Sequence, residues 1–161
     1  MPISRAQLGR HIGELLKQEQ QLLGELEQLL RTESDVLHAD DTDAIERVSG
    51  SRQRCVEALI RIDADRQDCC RLFSFGDDRQ AFERMLKSLE DGSVLQKHWN
   101  VNLEIARRCK DFNDRNGAVV SVKLNSVRQR LAALRGVAPQ PVYGKRVSRF
   151  SDMGSRSLGK A

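Results

Sequence analysis

The chain has 161 residues, 31% of them charged and only 4% aromatic, with a formal net charge of +4. That length suits one domain with a modest core, and that composition suits helices with solvated faces and excludes a sandwich or barrel. The charge excess sits in residues 136–161, where Lys145, Arg146, Arg149, Arg156 and Lys160 stand against Asp152 alone; the rest holds 22 basic and 22 acidic residues. A neutral body argues against a nucleic-acid partner, because such binding needs clustered phosphate contacts.

Ser4 predicts the N-cap of a first helix running to about Leu37. Its apolar stripe is Leu8, Ile12, Leu15, Glu19, Leu22, Leu26, Leu29, Glu33, Val36, in alternating steps of four and three. That is a heptad seam, and at 1.5 Å per residue the helix is about 50 Å long. Residues 38–42 form a short polar turn with Asp41 or Thr42 as the next cap. The second stripe is Ile45, Val48, Arg52, Cys55, Leu59, Ile62, Arg66, Cys69, Phe73. Two heptad seams joined by a short turn predict an antiparallel hairpin.

The polar residues on those seams carry register information. In an antiparallel pair, residues with a constant index sum lie opposite each other. Glu19 with Arg66 and Glu33 with Arg52 share the sum 85. The same register sets Ile12 against Phe73 and Leu26 against Leu59. Two readings are open: the acids and bases pair across the seam and fix its register, or all four side chains snorkel to solvent.

Ser74 to Asp78 ends the hairpin, with Gly76 as terminator and Asp77 or Asp78 as the next N-cap. A short helix carrying Phe82, Met85, Leu86 and Leu89 follows, then a break at Glu90 to Ser93. The last helix is predicted from near Ser93 to about Leu134, closing at Gly136. Its stripe is Leu95, Trp99, Ala106, Cys109, Val120, Leu124, Val127, Leu131 and Leu134, and Asn113 and Asn116 fall on it. A polar break in a seam serves register or a partner. Asn116-Gly117 is ordinarily a turn signal, but the stripe keeps its phase on both sides. We therefore expect a continuous helix with a weak point, since Gly costs about 1 kcal/mol relative to Ala. Beyond Gly136 the Pro, Gly and Ser content supports no core. The expectation is an all-α fold: a long antiparallel hairpin, a short helix and a long C-terminal helix in a coiled-coil-like bundle (1–135), followed by a disordered, flexible basic tail (136–161).

Site chemistry is sparse. Cys55, Cys69, Cys70 and Cys109 form no CxxC pair, and His11, His38 and His98 are far apart. The acids near His38 lack the Gly and terminal Glu of a calcium loop. No phosphate loop or nucleophile elbow appears. The expectation is no enzyme, no metal and no cofactor. With no signal-peptide pattern and no run of 18 apolar residues, the expected location is the reducing cytoplasm, with no membrane insertion.

Several motifs together resemble the FlgN family, cytoplasmic export chaperones of the bacterial flagellum. They are Leu15-Leu16-x-x-Glu19 and Leu29-Leu30-x-x-Glu33, Arg52 and Arg66, Asn113-x-x-Asn116-Gly117, Tyr143-Gly144, and the terminal Arg156-Ser157-Leu158-Gly159-Lys160-Ala161. The resemblance implies binding of the C-terminal segments of the hook–filament junction (hook-associated) proteins. It also implies delivery to the cytoplasmic domain of the export-gate membrane protein. The cargo surface would lie on the last helix, around Asn113, Asn116, Gly117, Val120, Leu124, Val127 and Leu131, and Tyr143 would dock on the gate. Small apolar residues such as Val119, Val120, Val122 and Val127 suit a groove for an amphipathic partner helix. The alternative is a structural coiled-coil adaptor that self-associates through its heptads.

Overall fold

Local capping and a long apolar period account for each helix. The computed structural model describes residues 3–136. Helix α1 spans Arg5–His38 and opens with a capping box: Gln7 N–H donates to the Ser4 hydroxyl at 3.2 Å, and Ser4 N–H donates to Gln7 Oε1 at 2.7 Å. Asp40 turns the chain at φ 55°, and Asp41 caps α2 (Thr42–Leu72) by accepting Ala44 N–H at 3.1 Å. Helix α3 is Ala81–Ser88 and α4 is Gly92–Arg135. Helix α4 runs unbroken through Asn116-Gly117 and closes on Gly136 in the left-handed region, φ 64°. Among the described residues there is no strand, and no helix is long and apolar enough to cross a membrane.

Two local expectations change. The left-handed residue that follows α2 is Ser74 (φ 61°), with Gly76 (φ 92°) finishing the turn two residues later. Neither Asp77 nor Asp78 is the N-cap of α3; that position is Gln80, which makes no side-chain cap bond. Asp78 instead accepts Gln80 N–H at 2.8 Å and holds Arg84, so it stabilises the turn itself.

Helix α1 is the central element, with α2 packed antiparallel on one side and α4 parallel on the other. This explains why its buried set is wider than a single seam. Leu16, Leu23, Leu30 and Leu37 are buried, whereas Leu22, Leu29 and Val36, expected on the seam, are half-buried. On α2 the buried thiol near the C-terminus is Cys70 rather than Cys69, because Cys70 joins Ala81 and Phe82 of α3.

The apolar core falls into two clusters. One joins Leu8, Ile12, Leu16 and Ile62 to Met85, Leu86 and Trp99, with Phe82 edge-on to Trp99 at 4.9 Å. Helix α3 thereby plugs the end of the bundle remote from the hairpin turn. The second cluster joins Leu23, Leu26 and Leu30 to Cys55, Leu59, Ala106 and Cys109.

The path from α3 into α4 is so close that a Cβ added at Gly92 would collide with the Leu86 carbonyl oxygen. Gly117 has open space around it. Gly92→Ala should therefore destabilise the protein by about 1–3 kcal/mol through overpacking. Gly117→Ala should stabilise it by up to about 1 kcal/mol through helix propensity. Urea titration of the two variants checks both signs.

Candidate functional site

The polar residues of the three long helices meet inside the bundle in two similar layers. In the first, Arg66 Nη1 of α2 donates to Glu19 Oε1 of α1 at 2.7 Å. Asn102 Nδ2 of α4 donates to Glu19 Oε2 at 2.9 Å and to the Leu16 carbonyl at 3.0 Å. Arg66 also reaches Asp63 at 2.7 Å and lies over the Trp99 and Phe82 rings, at 4.5 and 5.1 Å. The second layer lies two heptads further along α1. Arg52 Nη1 donates to Glu33 Oε1 at 3.3 Å and to Asn113 Oδ1 at 3.2 Å, and Asn116 Nδ2 donates to Glu33 Oε1 at 3.1 Å and to the Leu30 carbonyl at 2.9 Å.

These bonds belong to one ladder along the α1–α4 contact. Asn102, Cys109, Asn116 and Lys123 each reach the carbonyl of the residue 86 positions earlier: Leu16, Leu23, Leu30 and Leu37. A constant difference in index is the signature of parallel helices, and the rungs are one heptad apart. Lys123 ends the ladder by also pairing with Asp40 in the hairpin turn. Outside the ladder, Arg108 and Arg31 both hold Glu27, and hydrogen bonds to the two guanidiniums lower its carboxyl pKa.

The electrostatics fit a structural role for these layers. Burial works against the Arg66 charge, but Glu19 and Asp63 outweigh it and raise its pKa. Burial, with Glu27 nearby, pushes the Cys109 thiol up to about 12, and Cys55 and Cys70 rise to about 11. Thiols of that kind are protonated at neutral pH and behave as small apolar groups. Asn102 Oδ1 and Trp99 Nε1 are buried without a hydrogen-bond partner, so the first layer carries a desolvation cost. No group of three or more His, Cys, Asp or Glu residues among the described residues could hold a metal ion.

The structure separates the residues expected to form a partner surface. Asn116 is 3% exposed and bonded to α1, and half-buried Asn113 accepts from Arg52. The polar break in the α4 seam is thus met by the hairpin. Gly117 is exposed, and Val120 is half-buried. Leu124, Val127, Leu131 and Leu134 are 45%, 50%, 45% and 84% exposed. The cause is a difference in length. By the offset of the ladder, α1 ends opposite Leu124, so about 11 residues of α4, roughly 16 Å, project past the hairpin. The seam that α1 covers over most of α4 continues there uncovered. Tyr143 and the basic tail lie outside the described residues.

Asn102 was missed by sequence reasoning, although it sits on the α4 stripe between Trp99 and Ala106. Its signal was the spacing: it precedes Asn116 by two heptads, as Glu19 precedes Glu33 and Arg52 precedes Arg66. The second buried row of α1 was signalled by the doublets Leu15-Leu16, Leu22-Leu23 and Leu29-Leu30, which recur every heptad.

A braced bundle of long helices, with polar layers inside and an amphipathic end projecting from it, defines an all-α helical-bundle protein. The FlgN protein family model matches residues 11–148. The chain therefore belongs to the FlgN family, a family of flagellar export chaperones. No curated protein and no solved structure matches it.

Removing one member of a buried ion cluster strands its partner. Arg66→Met should cost about 3–5 kcal/mol by leaving Glu19 buried and unpaired. Adding Glu19→Leu and Asn102→Leu to it should recover most of that loss. Equal destabilisation of the single and triple variants in urea would mean that packing of the Arg66 stem, rather than charge, matters at this layer.

Proposed function

We propose that this protein is a cytoplasmic chaperone that binds the C-terminal segments of flagellar hook–filament junction proteins and carries them to the cytoplasmic domain of the export gate. Membership of the FlgN family supports the general role. The observation that carries the specific reading is the uncovered continuation of the α4 seam from half-buried Val120 into exposed Leu124, Val127 and Leu131. An isolated apolar stripe at heptad spacing is half of a helix–helix interface. A cargo segment folding as an amphipathic helix would occupy the place along α4 that α1 vacates after His38. Asn113 and Asn116, expected in the cargo surface, are held inside by the hairpin and would support it from behind, with exposed Gly117 beside them.

The same scaffold would then carry cargo at one end and be recognised through its tail. Tyr143 is the only tyrosine of the chain. We assign it to docking on the export gate, since the resemblance to the family places it there and an amphipathic ring suits an anchor.

Leu124→Asp with Val127→Asp should weaken binding of the junction proteins' C-terminal segments by about 1.5–3 kcal/mol for each side chain that becomes fully buried in the complex. Both positions are exposed, so helical content should stay near that of the parent. Calorimetry checks this, and unchanged affinity would move the cargo site off α4. Tyr143→Ala should leave cargo affinity intact and weaken binding of the cargo complex to the gate's cytoplasmic domain. Equal gate binding by mutant and parent would remove Tyr143 from the docking role.

A further inference from the structure

We infer that the projecting end of α4 selects a helical partner with acidic residues on both flanks of its apolar seam. This rests on the reading that the surface receives a cargo helix, and it adds the chemistry by which that helix is chosen. Taking Leu124 and Leu131 as a positions places Val120, Val127 and Leu134 at d. The flanking g positions are then Lys123 and Arg130, and the flanking e positions are Arg128 and Arg135. Every basic residue of this stretch borders the seam. Beyond Leu124 the outer positions hold Asn125, Ser126, Gln129, Ala132 and Ala133, and residues 118–136 include no acid. Residues 1–117 hold 18 basic and 22 acidic residues, so the positive charge of the body is concentrated in this segment.

The flank is also unspent. Lys123 is engaged by the Leu37 carbonyl and Asp40 at the edge of the supported region. Arg128, Arg130 and Arg135 are exposed and make no ion pair among the described residues. In paired helices the e and g charges set partner choice. Here they exclude like partners. A second copy of this chain would bring arginine against arginine, and residues 137–161 are themselves net basic. An anionic lipid surface would meet the charge, but beyond Leu124 the stripe is only one seam wide and residues 118–136 contain no Trp, Tyr or Phe to enter the interface. A helix with glutamate or aspartate beside its own a and d residues satisfies both the seam and its flanks.

The test uses the full chain and two synthetic three-heptad peptides with identical leucine seams, one with glutamate and one with lysine at all e and g positions. At low salt the glutamate peptide should bind roughly tenfold or more tightly by fluorescence anisotropy, and added salt should narrow the gap. Arg128→Glu with Arg130→Glu should invert the preference, with helical content unchanged by circular dichroism. The same variant should lose affinity for the junction proteins' C-terminal segments by a similar factor. Equal binding of the two peptides, a preference unmoved by charge reversal, or junction segments indifferent to it would each overturn the inference. Those results would leave the cargo-helix reading standing, because that reading fails only if the Leu124→Asp, Val127→Asp variant binds junction segments like the parent. Sedimentation showing self-association through this face, or adsorption to phosphatidylglycerol vesicles with no response to the glutamate peptide, would also overturn it.

Discussion

A carboxylate at the centre of three helices needs one partner from each neighbour, and that requirement governs how this bundle assembles. Glu19 takes Arg66 from α2 and Asn102 from α4, at 2.7 and 2.9 Å. If α2 slipped by one heptad, Glu19 would face Leu59. If α4 slipped likewise, it would face Cys109. Either shift buries a charge against an apolar side chain, at a cost of several kcal/mol. A slip of two heptads would match one layer but strand the other. The repeated layers therefore exclude the alternative registers that a uniform leucine seam permits. They are not the main source of stability, since buried ion clusters seldom outperform apolar packing. Stability comes from the two apolar clusters between and beside them.

Because register is set along α1, the unequal helix lengths acquire a fixed consequence. Helix α1 has 34 residues and α4 has 44. Helix α3 and the tight passage at Gly92 anchor the start of α4 near the N-terminal part of α1. All of the surplus length must then emerge at the other end, beside the hairpin turn. The projecting segment is an outcome of the internal polar layers, although none of its own residues takes part in them.

The hairpin was legible in the sequence because antiparallel neighbours joined by a short turn obey a simple index rule, and four charged residues on the seams supplied it. Continuity of α4 through Asn116-Gly117 was legible from the unbroken phase of the stripe. What escaped was the placement of α4. The index rule for a parallel neighbour is a constant difference, and with α3 inserted between the hairpin and α4 the chain order does not say which rule applies. Treating α1 as a helix with one partner also hid the role of the leucine doublets, both members of which join a core shared with α2 and α4. Asn113 and Asn116 looked like openings for a ligand because their complements, Arg52 and Glu33, lie far away in sequence. In the folded chain they are internal contacts, and the unsatisfied surface begins a turn later.

The projecting end of α4 also has a conformational cost built into it. A helix of about 11 residues held at only one end is marginal in water. Asn125 and Ser126 are weak helix formers placed on its outer side. Part of any association energy there must go into stiffening this segment, so affinity can be tuned by residues that never touch the partner. Replacing Asn125 or Ser126 with alanine would pre-organise the end and slow dissociation without adding a contact. Leaving those two positions poor keeps any association at this end readily reversible.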